Sequence, residues 1–367
     1  MNIVVSAGEA SGDILGGKLC KELILLDEKI KISGIGGQHM REAGVDTLHD
    51  VSETAVIGIY EIIKHYPRLR KILSDIMQHI KKTRPKILIL IDYPEFNLKL
   101  AAYAKSLNIK VMFFVSPQIW AWRTNRVKKI KRLVDLMAVL FPFELDFYQK
   151  ENINSCLVRH PLLEDIEKFQ ETAHEPLTIG LAPGSRKSEV KKLFPVMLEA
   201  ANLLYQENSS IKFIVPVAPG INVKFLVEQS DNLKLPIKYE QENFCACISK
   251  CEVVMIASGT ASLQTALLGK AMVIVYKISP ITYKLFGHLV KVKYISLANI
   301  ILDQRIFTEL LQSDVTSENL YKETKKLLYD SQRQARMNEI RKKLYNKLDQ
   351  GCSSKELAQK TLDLINY

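Results

Sequence analysis

Short runs of apolar, often β-branched residues recur along the chain and alternate with longer amphipathic segments. In the first half, these runs predict strands at residues 3–5, 30–35, 87–91, 111–115 and 136–141. Residues 60–83 and 95–107 carry apolar positions at helical spacing. Because the predicted strands are apolar almost throughout, rather than at every second position, they indicate a parallel sheet covered by helices on both faces.

The same alternation begins again after a polar, proline-containing stretch at 164–176, which predicts a linker. Further strands are predicted at 177–182, 212–217, 237–239, 253–257 and 272–276, and residues 316–367 are predicted to be mainly helical. We therefore expect an α/β protein with two similar halves, at 1–165 and 166–340. The final helices, 341–367, are free in this scheme to cross back onto the first half.

In doubly wound sheets, ligands bind at loops that follow the carboxyl ends of strands. The loops that meet this condition lie at 6–13, 36–40, 92–97, 116–123, 183–189, 216–220 and 257–262. If the two halves faced each other, these loops would line one cleft, where ligand sites often occur.

Two of these loops, both in the second half, have the composition of an anion site. Gly184 allows a ligand close to the backbone, Ser185 offers a hydroxyl, and the guanidinium of Arg186 matches a diphosphate. A plain strand-to-helix turn with a surface arginine explains this tripeptide equally well. A second small-residue turn, residues 258–260, makes a nucleotide site in this half the better prediction.

The loops of the first half are acidic instead. Glu9 and Asp13 lie in the segment SAGEASGD, and Asp92 directly follows the predicted strand ILILI. A carboxylate at a strand end can act as general base toward a hydroxyl nucleophile. The alternative is helix capping, by Asp13 or Ser11 at the first helix and by Asp92 at the helix that follows it.

The net charge of +11 and the pI near 9.2 favour anionic partners, such as nucleic acid, phosphorylated small molecules or an acidic membrane surface. Residues 57–73 mix apolar and basic side chains, as a membrane-surface segment does. A core-facing helix with a solvated basic face is the alternative. The absence of known nucleic-acid-binding motifs argues against nucleic acid. The membrane candidates are Ile57, Ile59, Ile62, Ile63, Arg68 and Arg70.

The six cysteines do not have the spacing of a zinc site. Cys245, Cys247 and Cys251 form C-x-C-x₃-C rather than a C-x₂-C pair, so we expect buried free thiols beside a helix and no metal. We also expect neither a signal peptide nor a membrane span, because no basic and apolar leader and no apolar run of about 20 residues is present. This composition fits the reducing cytoplasm.

Six motifs occur in this order: SAGEASGD, IDYPEFN, VSPQIWAWR, PGSRKSE, ASGTASLQ and SLANI…ELLQ. Together they resemble the lipid-A-disaccharide synthase family over most of the chain, from Val4 to about Gln312. The resemblance implies a GT-B fold, with two Rossmann-like domains whose parallel sheets face a central cleft. It also implies inverting, metal-independent transfer of 2,3-diacylglucosamine from UDP to the 6-hydroxyl of 2,3-diacylglucosamine 1-phosphate, which gives UDP and the β-1,6-linked disaccharide 1-phosphate of lipid A.

The resemblance further implies the roles of individual residues. Asp92 matches the catalytic carboxylate, with Glu9 beside it, and Arg186 would neutralise the leaving UDP in place of a metal ion. The donor-binding candidates are Gly184, Ser185, Arg186, Ser258, Gly259, Thr260, Gln264, Asn299 and Arg305. The acceptor-side candidates are Ser11, Asp13, Asn97, Ser116, Trp120 and Trp122.

The family also works without a cofactor, at the inner face of the Gram-negative inner membrane. The resemblance therefore implies a cytoplasmic protein that is peripherally bound to inner-membrane surface lipids, and a homodimer is compatible with it.

The chain departs from the family pattern at five places, of which Gln264 in place of a glutamate is the most relevant. The others are Gln38, Arg159, Ala298 and Gln304. Because Asp92 and Arg186 are retained, an active enzyme is favoured. The rival hypotheses are a UDP-GlcNAc 2-epimerase, the transferase that makes peptidoglycan lipid II, and a non-catalytic, membrane-docked binding protein.

Overall fold

A computed structural model describes residues 1–54, 59–117, 126–169, 174–277 and 293–366; at 59–65 and 366 it describes the backbone alone. The chain forms two compact units. The first consists of Met1–Pro161 together with Leu348–Tyr367, and the second is Leu162–Lys347.

The first unit is built on a seven-stranded parallel sheet. Its strands are β1 (Asn2–Ala7), β2 (Lys31–Gly36), β3 (Asp46–Asp50), β4 (Ile87–Ile91), β5 (Lys110–Phe114), β6 (Leu136–Val139) and β7 (Ser155–Leu157). They lie in the order β3-β2-β1-β4-β5-β6-β7, so the topological switch point falls between β1 and β4. The described helices are α1 (Ala10–Leu26), α2 (Gln38–Glu42), α3 (Ile59–Thr83), α4 (Pro94–Ser106), α5 (Val127–Leu133) and α6 (Pro142–Lys150).

Helices cover both faces of this sheet, as the uninterrupted apolar strands predicted. Along β4, Leu88 and Leu90 pack in the core under α3, α4 and α5, whereas Ile89 belongs to the core on the opposite side, under α1. All five residues of β4 are buried. Since alternate positions serve two different cores, no position of this strand is left for a polar side chain.

The second unit repeats the design with six parallel strands in the order β10-β9-β8-β11-β12-β13. These are β8 (Thr178–Ala182), β9 (Lys212–Pro216), β10 (Ile237–Glu240), β11 (Val253–Ala257), β12 (Ala271–Tyr276) and β13 (Thr308–Leu311). The described helices are α7 (Leu162–Lys168), α8 (Lys187–Glu207), α9 (Val223–Ser230), α10 (Phe244–Ser249), α11 (Thr260–Leu267), α12 (Leu297–Leu302) and α13 (Ser317–Leu328). The α/β class with two Rossmann-like sheets is thereby confirmed.

The end of the chain is helical, as predicted. Helix α14 (Arg333–Asp349) ends in the first unit, where α15 (Ser354–Asn366) packs against α1. Leu357 and Ala358 of α15 are buried in the core with β1, and the Thr361 hydroxyl donates to Met112 Sδ over 3.1 Å. The first unit is therefore assembled from two separate parts of the chain.

The predicted linker at 164–176 is partly wrong, because its first residues belong to α7. Leu163 and Ile166 are buried on one side of this helix, while Glu164 and Asp165 lie in its first turn, where acidic residues are favourable. Within the residues that the structure describes, no helix is both long enough and apolar enough to cross a membrane.

Candidate active-site residues in the two units

The second unit contains a cavity of about 770 Å³ at the carboxyl ends of its strands. Its wall includes the last residues of β8, β9 and β11, which are Ala182, Pro216 and Ala257. The loops that follow these strands also line it. The structure brings seven of the nine predicted donor residues to this one wall. They are Gly184, Ser185, Arg186, Ser258, Gly259, Thr260 and Gln264.

The first of these loops presents an arginine at the start of a helix. Gly184 has φ +111°, and a Cβ there would lie 2.6 Å from Glu189 Oε2, so the turn requires glycine. Arg186 is the N-cap residue of α8, and its Nη1 donates to Glu189 Oε1 over 2.9 Å. No side chain caps α8, and its first N–H groups favour an anion.

The second loop has the same property. Gly259 is the N-cap residue of α11 and provides no side-chain cap. A Cβ at Gly259 would meet nothing within 4 Å, so the backbone borders open space. Ser258 is held by its backbone and by its side chain: its N–H donates to Val275 O over 3.0 Å, and its hydroxyl donates to Ile295 O over 3.4 Å. Two helix starts without side-chain caps therefore line one cavity, an arrangement suited to a diphosphate.

Gln264 is a half-buried part of the same wall. Its Nε2 donates to Cys245 Sγ over 3.0 Å, and it also borders a second cavity of about 510 Å³. Burial raises the pKa of the Cys245 thiol. Cys245, Cys247 and Cys251 are free and buried, in α10 or two residues after it, which agrees with the prediction of buried free thiols beside a helix.

The other two predicted donor residues do not line the cavity. Arg305 is exposed in the loop between α12 and β13. Asn299 is fully buried: its Nδ2 donates to Phe307 O and Glu309 Oε1, both over 2.9 Å, and its Oδ1 accepts from the N–H groups of Ile306 and Phe307. These four bonds use the hydrogen-bonding capacity of an amide, so Asn299 acts as a brace in this structure.

Residues 241–244 complete the cavity wall and were not among the predicted site residues. They follow β10, whose approximate position the apolar pattern did predict. The strand-end rule applied to 237–239 would have found them. The loop after β9 was expected from that rule and does line the cavity.

In the first unit, Asp92 lies directly after β4 in an unusual backbone conformation. Asp92 and Tyr93 have φ +56° and +47°, which is uncommon for residues other than glycine. Asp92 is half-buried, and this burial raises the pKa of its carboxyl group. The Tyr93 N–H donates to Oδ1 over 2.7 Å, which lowers the pKa, but the effect of burial is the larger one. Such strained backbone at a strand end is typical of functional sites.

Asn97 holds this turn in place. The side chain is fully buried, and its Nδ2 donates to Asp92 O over 2.7 Å and to Ile91 O over 3.2 Å. Its Oδ1 accepts from the Ser6 hydroxyl over 2.8 Å. The amide therefore ties the carboxyl ends of β1 and β4 together beside Asp92.

The end of the neighbouring strand β5 is strained as well. Val115 has φ +67°, which is an outlier for a β-branched residue. It leads to Ser116, whose buried hydroxyl donates to Pro117 O and lies 2.9 Å from the Tyr148 hydroxyl. Ser116 is thus held between its own loop and α6.

Asp13 caps α2, and the prediction that it caps the first helix is wrong. Asp13 lies one turn inside α1, and its carboxylate accepts from the N–H groups of Gly37 (2.6 Å), His39 (3.0 Å) and Met40 (3.1 Å). The N-cap residue of α1 is Glu9, which makes no side-chain cap. Burial raises the pKa of Tyr93, and the negative charge of Glu9 raises it further. Glu9 therefore lies near the Tyr93 side chain, next to the Asp92 turn.

The remaining predicted residues are spread over the first unit. Ser11 is exposed in α1, and Arg68 and Arg70 are exposed in α3, where Arg68 Nη2 donates to Glu53 Oε2 over 3.0 Å. On the same helix, Leu69 and Ile72 are buried, so this part of α3 has a core side and a basic solvent side. Trp120, Trp122 and Ile57 lie outside the described residues, as do the side chains of Ile59, Ile62 and Ile63.

Comparison with known proteins gives one consistent result. A sequence model described as lipid-A-disaccharide synthetase matches residues 3–362. The lipid-A-disaccharide synthase of Geobacter metallireducens is 37% identical over 99% of this chain and 97% of its own length. That of Trichlorobacter lovleyi is 38% identical, with 99% and 97% covered.

Solved structures with a similar fold are much more distant in sequence. Acinetobacter baumannii MurG superimposes with a TM-score of 0.57 at 15% identity, covering 100% of this chain and 99% of its own. UDP-GlcNAc 2-epimerase from Neisseria meningitidis gives 0.62 at 11% identity, with 99% and 100% covered. These structural similarities support the GT-B fold. Because proteins with this fold have several activities, the sequence relatives are the better guide to function.

Proposed function

The chain belongs to the lipid-A-disaccharide synthase family, and from this membership we propose that it transfers 2,3-diacylglucosamine from UDP to 2,3-diacylglucosamine 1-phosphate. The acceptor reacts through its 6-hydroxyl. The products are UDP and the β-1,6-linked disaccharide 1-phosphate that leads to lipid A.

The observation that supports this proposal most strongly is the cavity of the second unit. It combines Arg186 with the uncapped starts of α8 and α11. In this proposal the UDP diphosphate binds there. Negative charge grows on the diphosphate as the glycosidic bond breaks, and the guanidinium and backbone N–H groups stabilise it. We propose that this positive charge replaces a divalent metal ion.

The carboxylate of Asp92 is the proposed general base. It takes the proton of the acceptor hydroxyl while that oxygen attacks the anomeric carbon and UDP leaves, so one displacement inverts the configuration. Its raised pKa supports this role, because a base more basic than an ordinary carboxylate accepts a proton more readily.

We also propose that the protein works while bound to the inner face of the inner membrane, where its acylated substrates reside. The net charge of +11 and the exposed Arg68 and Arg70 favour contact with anionic lipid surfaces. Vesicle sedimentation with anionic and with neutral phospholipids tests this part, and equal binding to both would contradict it.

The decisive experiment incubates purified protein with both acylated sugars in the presence of EDTA and follows the disaccharide by mass spectrometry. We expect product from the wild type and a large loss in Asp92→Asn and in Arg186→Ala. Absence of product from the wild type would sink the proposal. A parallel incubation with UDP-GlcNAc, analysed by NMR for an epimer, tests the 2-epimerase alternative.

A further inference from the structure

Residues 241–244 line the nucleotide cavity; they are the short connection between β10 and α10 and the first residue of α10. A four-residue wall segment needs contacts that fix its position. Asn243 provides one, since its Oδ1 accepts from the Cys245 N–H over 2.8 Å and so caps α10. The side chains that flank the segment provide the others.

An ion-pair cluster lies behind this segment. Glu240, the last residue of β10, has a side chain that is only 3% exposed. Its two carboxylate oxygens accept from Lys250 Nζ over 3.1 and 2.9 Å. The same ammonium donates to Glu242 Oε2 over 3.2 Å. Lys250 thus joins the residue before the cavity segment to a residue within it.

Glu240 also contacts the loop after β9, which is another part of the cavity wall. Its backbone carbonyl accepts from the Val217 N–H over 2.8 Å, and Val217 lines the cavity on the side of β9. The buried Glu240 therefore lies between two loops that border the nucleotide site. Lys250 itself is not among the residues that line the cavity.

The ligand atoms of this cluster resemble those of a cation site. Oxygen atoms of Glu240 and Glu242 and the Cys247 sulfur lie within 4.8 Å of one another. In this structure the ammonium of Lys250 contacts both carboxylates, so the protein supplies its own cation. Hydrogen bonding to Glu240 raises the pKa of Lys250, which keeps it charged.

We propose that Lys250 is a positioning residue for the donor site: its ammonium holds residues 241–244 in the conformation that binds the nucleotide of UDP. This inference rests on the proposed function. Without the Lys250 ammonium, Glu242 loses its ion pair with that group and the buried Glu240 keeps the exposed Lys238, so the two carboxylates repel each other more strongly. The segment then moves, and the cavity wall moves with it.

The test compares Lys250→Met with Lys250→Arg and with the matched control Lys238→Met. Lys238 also pairs with Glu240, over 2.6 Å, but its side chain is 67% exposed, and the ion pair with Glu242 is made by Lys250. We expect Lys250→Met to weaken UDP binding about tenfold or more, the size expected from a charged hydrogen bond. KM for the donor should rise by a similar factor with little change in kcat. Lys250→Arg should restore most of the affinity, and Lys238→Met should leave it unchanged.

Titration calorimetry with UDP gives the affinity, and hydrogen exchange of residues 241–244 in the ligand-free protein gives the order of the segment. Faster exchange in Lys250→Met supports the proposal; unchanged exchange and unchanged affinity overturn it. If Lys250→Met does not fold, Lys250→Gln retains a hydrogen-bond donor and makes the same comparison. A wild type that bound no UDP would contradict the proposed function, while the exchange data would still decide the role of Lys250.

Discussion

Asp92 differs from a carboxylate that only caps a helix. Two successive non-glycine residues, Asp92 and Tyr93, occupy the left-handed region, at a cost on the order of 1–3 kcal/mol each. The protein compensates for this cost with buried hydrogen bonds from Asn97. Strain at one carboxylate, supported by a dedicated brace, indicates that the position of this side chain matters for function.

The pH dependence of activity is the first prediction at this scale. If Asp92 is the base, it must be ionised, and its pKa is raised by burial. We therefore expect kcat/KM to fall as the pH falls through a midpoint above about 3.9, the ordinary value for aspartate. A pH–rate profile measures this midpoint. Asp92→Asn should lose the acid limb together with most of the activity, while the turn persists because asparagine tolerates the left-handed region. An unchanged limb in this variant would contradict the assignment.

Replacing Asn97 by alanine is the second prediction. The change leaves the carbonyls of Ile91 and Asp92 and the hydroxyl of Ser6 without their buried partner. We expect a loss of about 1–3 kcal/mol of unfolding free energy, the usual cost of unpaired buried polar groups. Urea unfolding measures it, and Asn232→Ala, at an exposed position, serves as the control. Activity should also fall; wild-type activity in a destabilised Asn97→Ala would separate the brace from the function of Asp92.

Local sequence predicted some of these residues and not their contacts. The apolar run ILILI placed Asp92 at a strand end, and that was sufficient to select it as a candidate. The roles of Asp13 and Asn299 were missed for a physical reason. The partners of Asp13 lie 24 to 27 residues away, and those of Asn299 lie in the short edge strand β13 and in the loop just before it. Contacts of this kind depend on how elements pack, which hydrophobic patterning does not describe.

At the scale of elements, the strands buried on both faces were predictable, whereas of the edge strands β3, β7, β10 and β13 only β10 was predicted. Strand β4 is apolar at every position because two cores contact it, whereas the edge strand β3 has the sequence DTLHD and carries no apolar run. The linker prediction failed similarly, since α7 is a short helix with only two buried side chains. Patterning detects burial, so elements with little burial escape it.

The turn before α8 gives the prediction for this scale. Gly184→Ala places a Cβ near Glu189 in a backbone conformation that L-residues avoid, so we expect a loss of about 1 kcal/mol or more and weaker UDP binding. In Gly259→Ala the Cβ meets open space and φ is 163°, so stability should be retained. Thermal unfolding and calorimetry with UDP measure both. Equal stability of the two variants would show that the Gly184 turn relaxes without cost.

At the scale of the whole molecule, the return of the chain to the first unit is the main feature. Residues 348–352 run beside 157–160: Cys352 N–H donates to Leu157 O over 2.9 Å, and Arg159 N–H donates to Cys352 O over 3.0 Å. Arg159 Nε also donates to Asp349 Oδ1 over 2.6 Å. These contacts lie next to both points where the chain passes from one unit to the other. The first unit therefore cannot complete its fold until nearly the whole chain has been made.

Glycine at position 351 allows these two segments to approach closely, and a substitution there tests how much the approach matters. A Cβ at this position would lie 2.1 Å from the carbonyl carbon of Val158 and 2.2 Å from the Arg159 nitrogen, so backbone would have to move. We expect Gly351→Ala to lower the unfolding free energy by about 1–3 kcal/mol, as overpacking does.

Amides of α15 should exchange with solvent faster than in the wild type, because that helix follows the displaced segment. Hydrogen exchange read out by peptide separates this local effect from a general loss of stability. UDP binding, which we propose for the cavity of the second unit, should be retained. Faster exchange spread equally over β8 and β11 would contradict a local role for Gly351.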